Sequence, residues 1–174
     1  MNKSVVISVL GDDSPGLVKS LSKLIVAHQG EWVESRMASL SGKFAGILRV
    51  DLPSSEFEAF KNDLQNATDL GLSVIFEESL HPQAATENQF EIELIGQDQP
   101  GIIHRIASVM EQIHANVDEL ETEVIEASMS GEKLFKANIK LHIASDVHSS
   151  EIRTLLEELA NELIVDIELL EGDT

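Results

Sequence analysis

The chain has 174 residues with 43% hydrophobic and only 4% aromatic side chains, so it suits one ordinary domain or two small ones with aliphatic cores. Its 31 acidic residues outnumber 12 basic ones and give a formal charge of −19, which disfavours direct binding to nucleic acid or to an anionic membrane. The absence of cysteine excludes disulfides and thiolate nucleophiles.

The first predicted element is a strand over residues 5–10. This apolar run is too short to be a signal peptide, and no later segment is apolar for long enough to span a bilayer. We therefore expect a cytoplasmic protein with no membrane partner.

A turn and an amphipathic helix follow the first strand. The turn has the sequence Gly11-Asp12-Asp13-Ser14-Pro15-Gly16. Pro15 is predicted to lie in the first turn of the helix, where its missing N–H needs no partner, and Asp13 or Ser14 is predicted to cap the helix. Apolar residues at helical spacing define the buried face of the helix, namely Leu17, Leu21, Leu24 and Ile25.

Two strands, a second helix and a fourth strand complete the unit. Alternating apolar residues predict strands over residues 32–40 and 44–52, and a further strand over residues 72–76. The second helix is expected to begin at the pair Ser54-Ser55. The order βαββαβ predicts an α+β, ferredoxin-like fold, in which a four-stranded antiparallel sheet has two helices on one face.

The whole unit is repeated further along the chain. The turn reappears 85 residues later as Gly96-Gln97-Asp98-Gln99-Pro100-Gly101, and the flanking strand and helix stay in register with it. A longer second hairpin shifts the offset to 91, after which a helix again follows a Ser-Ser pair and a last strand is predicted over residues 164–169. We therefore predict two tandem modules over residues 1–78 and 89–174, joined by a linker over residues 79–88.

The strand, the Gly-x-Asp-x-Pro-Gly turn and the following amphipathic helix resemble the ACT domain, a regulatory module that binds amino acids. The resemblance covers nearly the whole chain, once in each module. Two such modules without an attached enzyme are most similar to the glycine cleavage system transcriptional repressors. That similarity implies a non-enzymatic regulator that responds to glycine and controls the glycine cleavage operon by contact with a LysR-type transcriptional activator, without binding DNA itself.

The resemblance also implies a ligand site in each module. The turn residues concerned are Gly11, Asp13, Pro15 and Gly16 in the first module and Gly96, Asp98, Pro100 and Gly101 in the second. The start of the second strand is implied as well, and there the second module has Asn116, as the family commonly does. The first module has Glu31 instead, whose carboxylate would repel a ligand carboxylate, so the second module is the favoured site.

The turn also has a physical rationale of its own. A glycine-rich start exposes backbone N–H groups at the positive end of a helix, which suits a carboxylate, and the neighbouring Asp13 or Asp98 could accept a hydrogen bond from an ammonium group. A zwitterion such as glycine fits both. The alternative is structural: the glycines permit a tight turn and close packing, and the aspartate is a local cap.

Other residues of chemical interest form no recognisable motif. The six histidines lack a metal-binding spacing, so we interpret them as surface residues and predict no metal site and no cofactor. The carboxylates lack a catalytic spacing, so no catalytic residue is predicted. Glu119, Glu121 and Glu123 are expected to line one face of a strand, either as protection of a sheet edge or as a docking surface for a basic partner.

A regulator that senses an amino acid is the leading interpretation of this sequence. A ligand-independent interaction module with the same fold is the alternative, and an enzyme is a third class, because a fold does not determine a function. Open sheet edges and a bare sheet face favour association, either between the modules or with a second chain as a homo-oligomer.

Overall fold

The structure is a computed structural model. The residues that it describes are 2–67, 71–78, 87–127, 131–144 and 147–171. They form two four-stranded antiparallel sheets, and each sheet carries two helices. The predicted class of two tandem ferredoxin-like modules is therefore confirmed. The chain divides into units at residues 1–81 and 82–174.

The first module has its six elements in the predicted βαββαβ order. They are β1 (Asn2–Asp12), α1 (Leu17–Ala27), β2 (Glu31–Leu40), β3 (Lys43–Pro53), α2 (Phe57–Asn66) and β4 (Leu72–Glu78). The strands lie in the sheet order β2-β3-β1-β4, so β2 and β4 are the edges. All three pairings are antiparallel, and a β-bulge interrupts the β2–β3 register near the start of β2.

The second module repeats this arrangement. Its elements are β5 (Glu87–Gln97), α3 (Ile102–Gln112), β6 (Asn116–Glu126), β7 (Lys133–Ala144), α4 (Ser149–Leu163) and β8 (Val165–Glu171). The sheet order is β6-β7-β5-β8. Strand β5 begins at residue 87, so it includes the last two residues of the segment expected to be the linker. Residues 79–86 of that segment lie outside the described residues.

Each module has its own hydrophobic core between its sheet and its helices. Alternate residues of the central strands face the helices, so β1 contributes Val5, Ile7 and Val9, and β5 contributes Phe90, Ile92 and Leu94, all buried. The helices contribute the stripes that the 3.6-residue spacing predicts, for example Leu17, Leu21 and Ile25 of α1. None of the described helices is long and apolar enough to cross a membrane.

The predicted start of the first helix is wrong. Gly16 is the N-cap of α1 in place of Asp13 or Ser14, and Pro15 precedes the helix instead of lying in its first turn. Gly16 has a φ of +94°, a left-handed conformation that glycine adopts without strain. Because this conformation is not that of a right-handed helix, α1 begins at the next residue, Leu17.

Two further element boundaries differ from the prediction. Helix α2 has Glu56 as its N-cap, with no side-chain cap hydrogen bond, so the preceding Ser54-Ser55 pair is not the cap. Ile164 is not part of the last strand, because it ends α4 in a left-handed conformation with φ of +54° and is 85% exposed. Strand β8 therefore begins at Val165.

Candidate ligand-binding site

Both turns place a left-handed glycine at the start of the following helix. Gly16 caps α1 with φ of +94°, and Gly101 caps α3 with φ of +83°. A Cβ added to either glycine would meet nothing within 4 Å, so only the backbone conformation requires glycine there. The space beside each glycine is open.

The N-cap glycine supplies no side chain that could cap either helix start. No side-chain cap hydrogen bond forms at Gly16 or Gly101, and the first turn of each helix contains no acidic residue. In α3 the first intrahelical bond runs from the Arg105 N–H to the Gly101 carbonyl at 3.1 Å. The N–H groups of residues 103 and 104 therefore have no carbonyl partner within the helix, and they lie at the positive end of its dipole.

The first glycine of each turn has a packing role. A Cβ on Gly11 would lie 2.5 Å from the Gly71 carbonyl oxygen, and a Cβ on Gly96 would lie 2.2 Å from Val165 Cγ1. Both distances are far below van der Waals contact, so the last strand of each module can approach only a glycine. Close packing against the neighbouring residues is therefore sufficient to explain why Gly11 and Gly96 are glycines, without a role in ligand binding.

The two carboxylates of the first turn are both engaged. Asp13 Oδ2 accepts a hydrogen bond from the Ser39 hydroxyl at 2.6 Å, and the Asp13 N–H donates to the Gly42 carbonyl at 2.9 Å. Asp12 forms an ion pair with Lys43, whose hydrogen bond and positive charge lower the pKa of the Asp12 carboxyl. These contacts fasten the first turn to the β2–β3 hairpin.

The second turn offers a carboxylate without such contacts. Val124 occupies the position in β6 that Ser39 occupies in β2, so the hydroxyl partner is lost. Gln97 replaces Asp12, which removes one negative charge. Within the part of the chain that the structure describes, the Asp98 carboxylate has no hydrogen-bond or ion-pair partner. This difference distinguishes the second turn chemically from the first.

Sequence reasoning gave Gln99 no role, but the structure gives it one. Its side-chain Nε2 donates a hydrogen bond to the Leu163 carbonyl at 2.9 Å, at the end of α4. The bond satisfies one of the carbonyl groups left open at a helix C-terminus and anchors the second turn. The first module has Ser14 at this position. The difference between Ser14 and Gln99 was the one feature of the sequence that could have indicated this contact.

Asn116 lies at the other end of the sheet from the turn of its own module. Gly96 pairs with Phe135 of β7, whereas Asn116 is paired through β6 with His142. Seven residues along one strand correspond to about 23 Å. Glu31 is equally remote from the first turn. A ligand at the second turn therefore cannot contact Asn116 of the same module.

One histidine was misinterpreted from the sequence. His28 is only 9% exposed, and its Nδ1 and Nε2 lie 3.2 Å from Glu56 Oε2 and 3.0 Å from Asp63 Oδ2. A carboxylate only accepts hydrogen bonds, so a ring nitrogen that carries a hydrogen donates it to the carboxylate beside it. The ring also packs edge-on against Phe60. The second module has Ile113 at this position, so the His28 contacts belong to the first module alone.

Strand β6, which contains Glu119, Glu121 and Glu123, lies at an edge of the second sheet. The interpretation of these residues as protection of a sheet edge requires that position. The Glu119 carboxylate accepts a hydrogen bond from Lys140 at 2.9 Å, and Glu123 lies 3.8 Å from Lys136. The hydrogen bond from Lys140 to Glu119 raises the pKa of the lysine. Among the described residues, no group of three or more His, Asp and Glu side chains is placed to hold a metal ion.

A cavity of about 450 Å³ opens on the sheet of the second module. Its lining includes Glu93, Ile95, Lys136, Asp166 and Glu168, from the face of the sheet that the helices leave uncovered. Three of its seven lining residues are acidic, and Asp98 and Gly101 are not part of the lining. The cavity and the turn are therefore separate features.

The family follows from a match to known sequences. The model of the ACT domain matches residues 3–77 and again residues 88–169, which together include most of both modules. The chain belongs to the ACT domain family. A UPF0237 protein of Methanocaldococcus jannaschii is 31% identical over 74 residues, a match that covers 41% of this chain and 82% of that protein.

Two solved structures are similar in fold to the chain over nearly its full length. An unknown protein from Galdieria sulphuraria has a TM-score of 0.89 at 28% identity, covering 99% of this chain and 100% of that one. A protein assigned as a glycine cleavage system transcriptional repressor has a TM-score of 0.75 at 16% identity, covering 100% of this chain and 99% of that one. At that identity the second likeness shows the fold alone.

Proposed function

We propose that this protein is a non-enzymatic regulator whose second ACT domain binds an amino acid at the turn Gly96–Gly101. One observation carries the proposal: the second turn combines the Asp98 carboxylate, which has no partner among the described residues, with the open N–H groups at the start of α3 a few residues further along the chain. The N–H groups suit the carboxylate of an amino acid, and Asp98 suits its ammonium group. The first turn offers the same N–H groups, but its carboxylates are already engaged.

Glycine is the amino acid that we propose. The groups at the turn match the ammonium and carboxylate groups that all amino acids share, and neither requires a ligand side chain. Pro100 and Gly101 are exposed, so the turn alone provides no apolar enclosure for a larger side chain. The full-length likeness to a protein assigned as a glycine cleavage system transcriptional repressor also supports glycine.

The proposed output is contact with a transcriptional activator of the LysR type that controls the glycine cleavage operon. The formal charge of −19 argues against direct binding to DNA, because the acidic protein and the DNA phosphates repel each other. The same charge favours a protein partner with a basic surface. Bound glycine would then alter the affinity of this contact.

Replacing Asp98 by asparagine is expected to weaken glycine binding about tenfold or more, because a charge-assisted hydrogen bond contributes about 1.5–3 kcal/mol. Asparagine keeps the shape of the side chain and removes its charge, and Asp98 is exposed, so folding should be unaffected. Isothermal titration calorimetry with glycine measures the effect on the full chain.

The matched control is Asp13→Asn in the first module, which is expected to leave glycine affinity unchanged. Methylamine and acetate, each of which has one of the two charged groups of glycine, are expected to bind far more weakly than glycine. Equal losses in the two variants would refute the assignment to the second turn. No heat with any amino acid at millimolar concentration would refute ligand binding altogether.

A ligand-independent interaction module is the second candidate function. The contacts of Asp13 with Ser39 and of Asp12 with Lys43 favour it for the first ACT domain, since they leave no free carboxylate at that turn. Under this alternative, capture of the activator in a pull-down is the same with and without glycine. Under the proposed function, glycine changes the amount captured.

A further inference from the structure

The first module presents an apolar sheet face to solvent. On the side of the sheet away from the helices, Ile47 is 51% exposed, Ile75 is 62% exposed and Leu10 is 55% exposed. The strand register makes these residues neighbours, because Ser8 of β1 pairs with Ile47 on one side and with Ile75 on the other. We name this surface the first sheet face, and it consists of Leu10, Ala38, Leu40, Ala45, Ile47 and Ile75 around Ser8.

The second module shows that the fold does not require this apolar surface. The register places a charged or polar residue at most of the equivalent positions. Asn138 replaces Ile47, Glu168 replaces Ile75, Glu123 replaces Ala38, Lys136 replaces Ala45 and Glu93 replaces Ser8. Ile95 and Ile125 stay apolar at the positions of Leu10 and Leu40, but the centre of the second face is polar. The contiguous exposed apolar patch is therefore specific to the first module, and a patch of this kind is typical of an interface.

We propose that the first sheet face is the contact surface for a second copy of this chain, in a symmetric dimer. Charge restricts where a second copy can dock. Two chains of formal charge −19 repel each other over most of their surface, so they can approach closely only where the surface is neutral. Around the first sheet face the formal charges nearly cancel, because three basic residues accompany four acidic ones, namely Arg36, Lys43 and Arg49 with Asp12, Glu34, Asp51 and Glu77. Arg49 is already paired with Glu34 at 3.0 Å, and Lys43 with Asp12.

The size of the face is sufficient for such a dimer. Four strands spaced about 4.8 Å apart and about ten residues long cover on the order of 600 Å². Two copies would therefore bury about 1,200 Å² or more, which is the lower end of the range for stable protein interfaces. Sheets that pack face to face in this way lie about 10 Å apart, with their strands nearly aligned.

The charges at the two edges of the face fit a two-fold axis parallel to the strands. Arg36 lies on the edge strand β2 and Glu77 on the opposite edge strand β4. Neither has an ion-pair partner within the described ranges. Rotation about such an axis places β2 of one copy over β4 of the other, so Arg36 of each chain faces the edge that contains Glu77 of its partner. The contact is then self-complementary.

Sedimentation equilibrium of the full chain from micromolar concentration upwards tests the proposal. Wild type is expected to form dimers, and Ile75→Glu is expected to weaken dimerisation about a hundredfold or more, because the new carboxylate would be buried without a partner. The second module has Glu168 at the same position of the same fold, so the variant should remain folded. Circular dichroism and thermal unfolding verify that.

Val26→Glu is the matched control, because Val26 is 72% exposed on helix α1 and lies outside the first sheet face. This variant is expected to dimerise like wild type. A charge exchange provides a second, independent test: Arg36→Glu and Glu77→Arg should each weaken the dimer about tenfold, and the double variant should restore it. A wild-type chain that stays monomeric at high concentration, or a dimer that persists in Ile75→Glu, overturns the proposal.

Discussion

Replacing Gly96 by valine is expected to destabilise the second module by about 3 kcal/mol. A Cβ at this position would lie 2.2 Å from Val165 Cγ1 and 2.9 Å from the Val165 Cα, so the clash involves backbone as well as side chain. Strand β8 would have to move away from β5, and the pairing of Gly96 with Val165 would be lost. Urea unfolding measures the loss, and hydrogen exchange locates it between residues 87 and 171.

Gly101→Ala is the control for this prediction, because a Cβ at Gly101 would meet nothing within 4 Å. The only cost there is the left-handed backbone with φ of +83°, which is worth about 1 kcal/mol. If Gly101→Ala were the more damaging of the two changes, the close approach of β8 to β5 would not be the reason for Gly96.

The second large effect is expected at His28. Its replacement by alanine should destabilise the first module by about 3 kcal/mol, because the change leaves a cavity against Phe60 and removes both carboxylate contacts. His28→Ile should cost less than about 1 kcal/mol, since an apolar side chain of similar volume fills the space and Glu56 and Asp63 can turn to solvent. Chemical denaturation of the two variants measures the difference.

Isoleucine is the informative replacement because the second module has Ile113 at the same position, where it is buried. If His28→Ile proved as destabilising as His28→Ala, the hydrogen bonds to Glu56 and Asp63 would dominate over packing. Equal and negligible effects of both variants would show that the His28 contacts contribute nothing to the stability of the first module.

Much of the fold could be predicted because the same module occurs twice in the sequence. The alternation of Val5, Ile7 and Val9 indicated which face of β1 is buried, and the same phase in Phe90, Ile92 and Leu94 supported the second copy. Local periodicity and duplication do not depend on distant contacts. For this reason the element order was predicted correctly, and the boundaries were wrong by a few residues only.

The helix start at Gly16 could not be predicted from local preference. Proline is common in the first turn of a helix, so Pro15 indicated a helix that begins earlier than it does. The structure instead uses the left-handed conformation of Gly16, and nothing in the residue types excludes either choice. The start of α2 also differs from the prediction, because the helix begins at Phe57 with Glu56 as its N-cap and not at Ser54-Ser55.

The contacts of the candidate site depend on residues distant in sequence. Ser39 lies 26 residues after Asp13, and Glu56 and Asp63 lie 28 and 35 residues after His28. No local pattern connects such residues, so neither the engaged state of Asp13 nor the burial of His28 was visible before the strands were paired. The contrast between Asp13 and Asp98 appears only when Ser39 and Val124 are placed in register.

The carboxylates of β6 have a consequence for how copies of this protein can assemble. An edge strand normally accepts the backbone of a neighbouring chain, and repeated addition of this kind extends a sheet sideways into a fibril. A second β6 brought alongside would set its Glu119, Glu121 and Glu123 against the same row, and like charges directly opposite one another are destabilising. Lateral growth from this edge is therefore disfavoured.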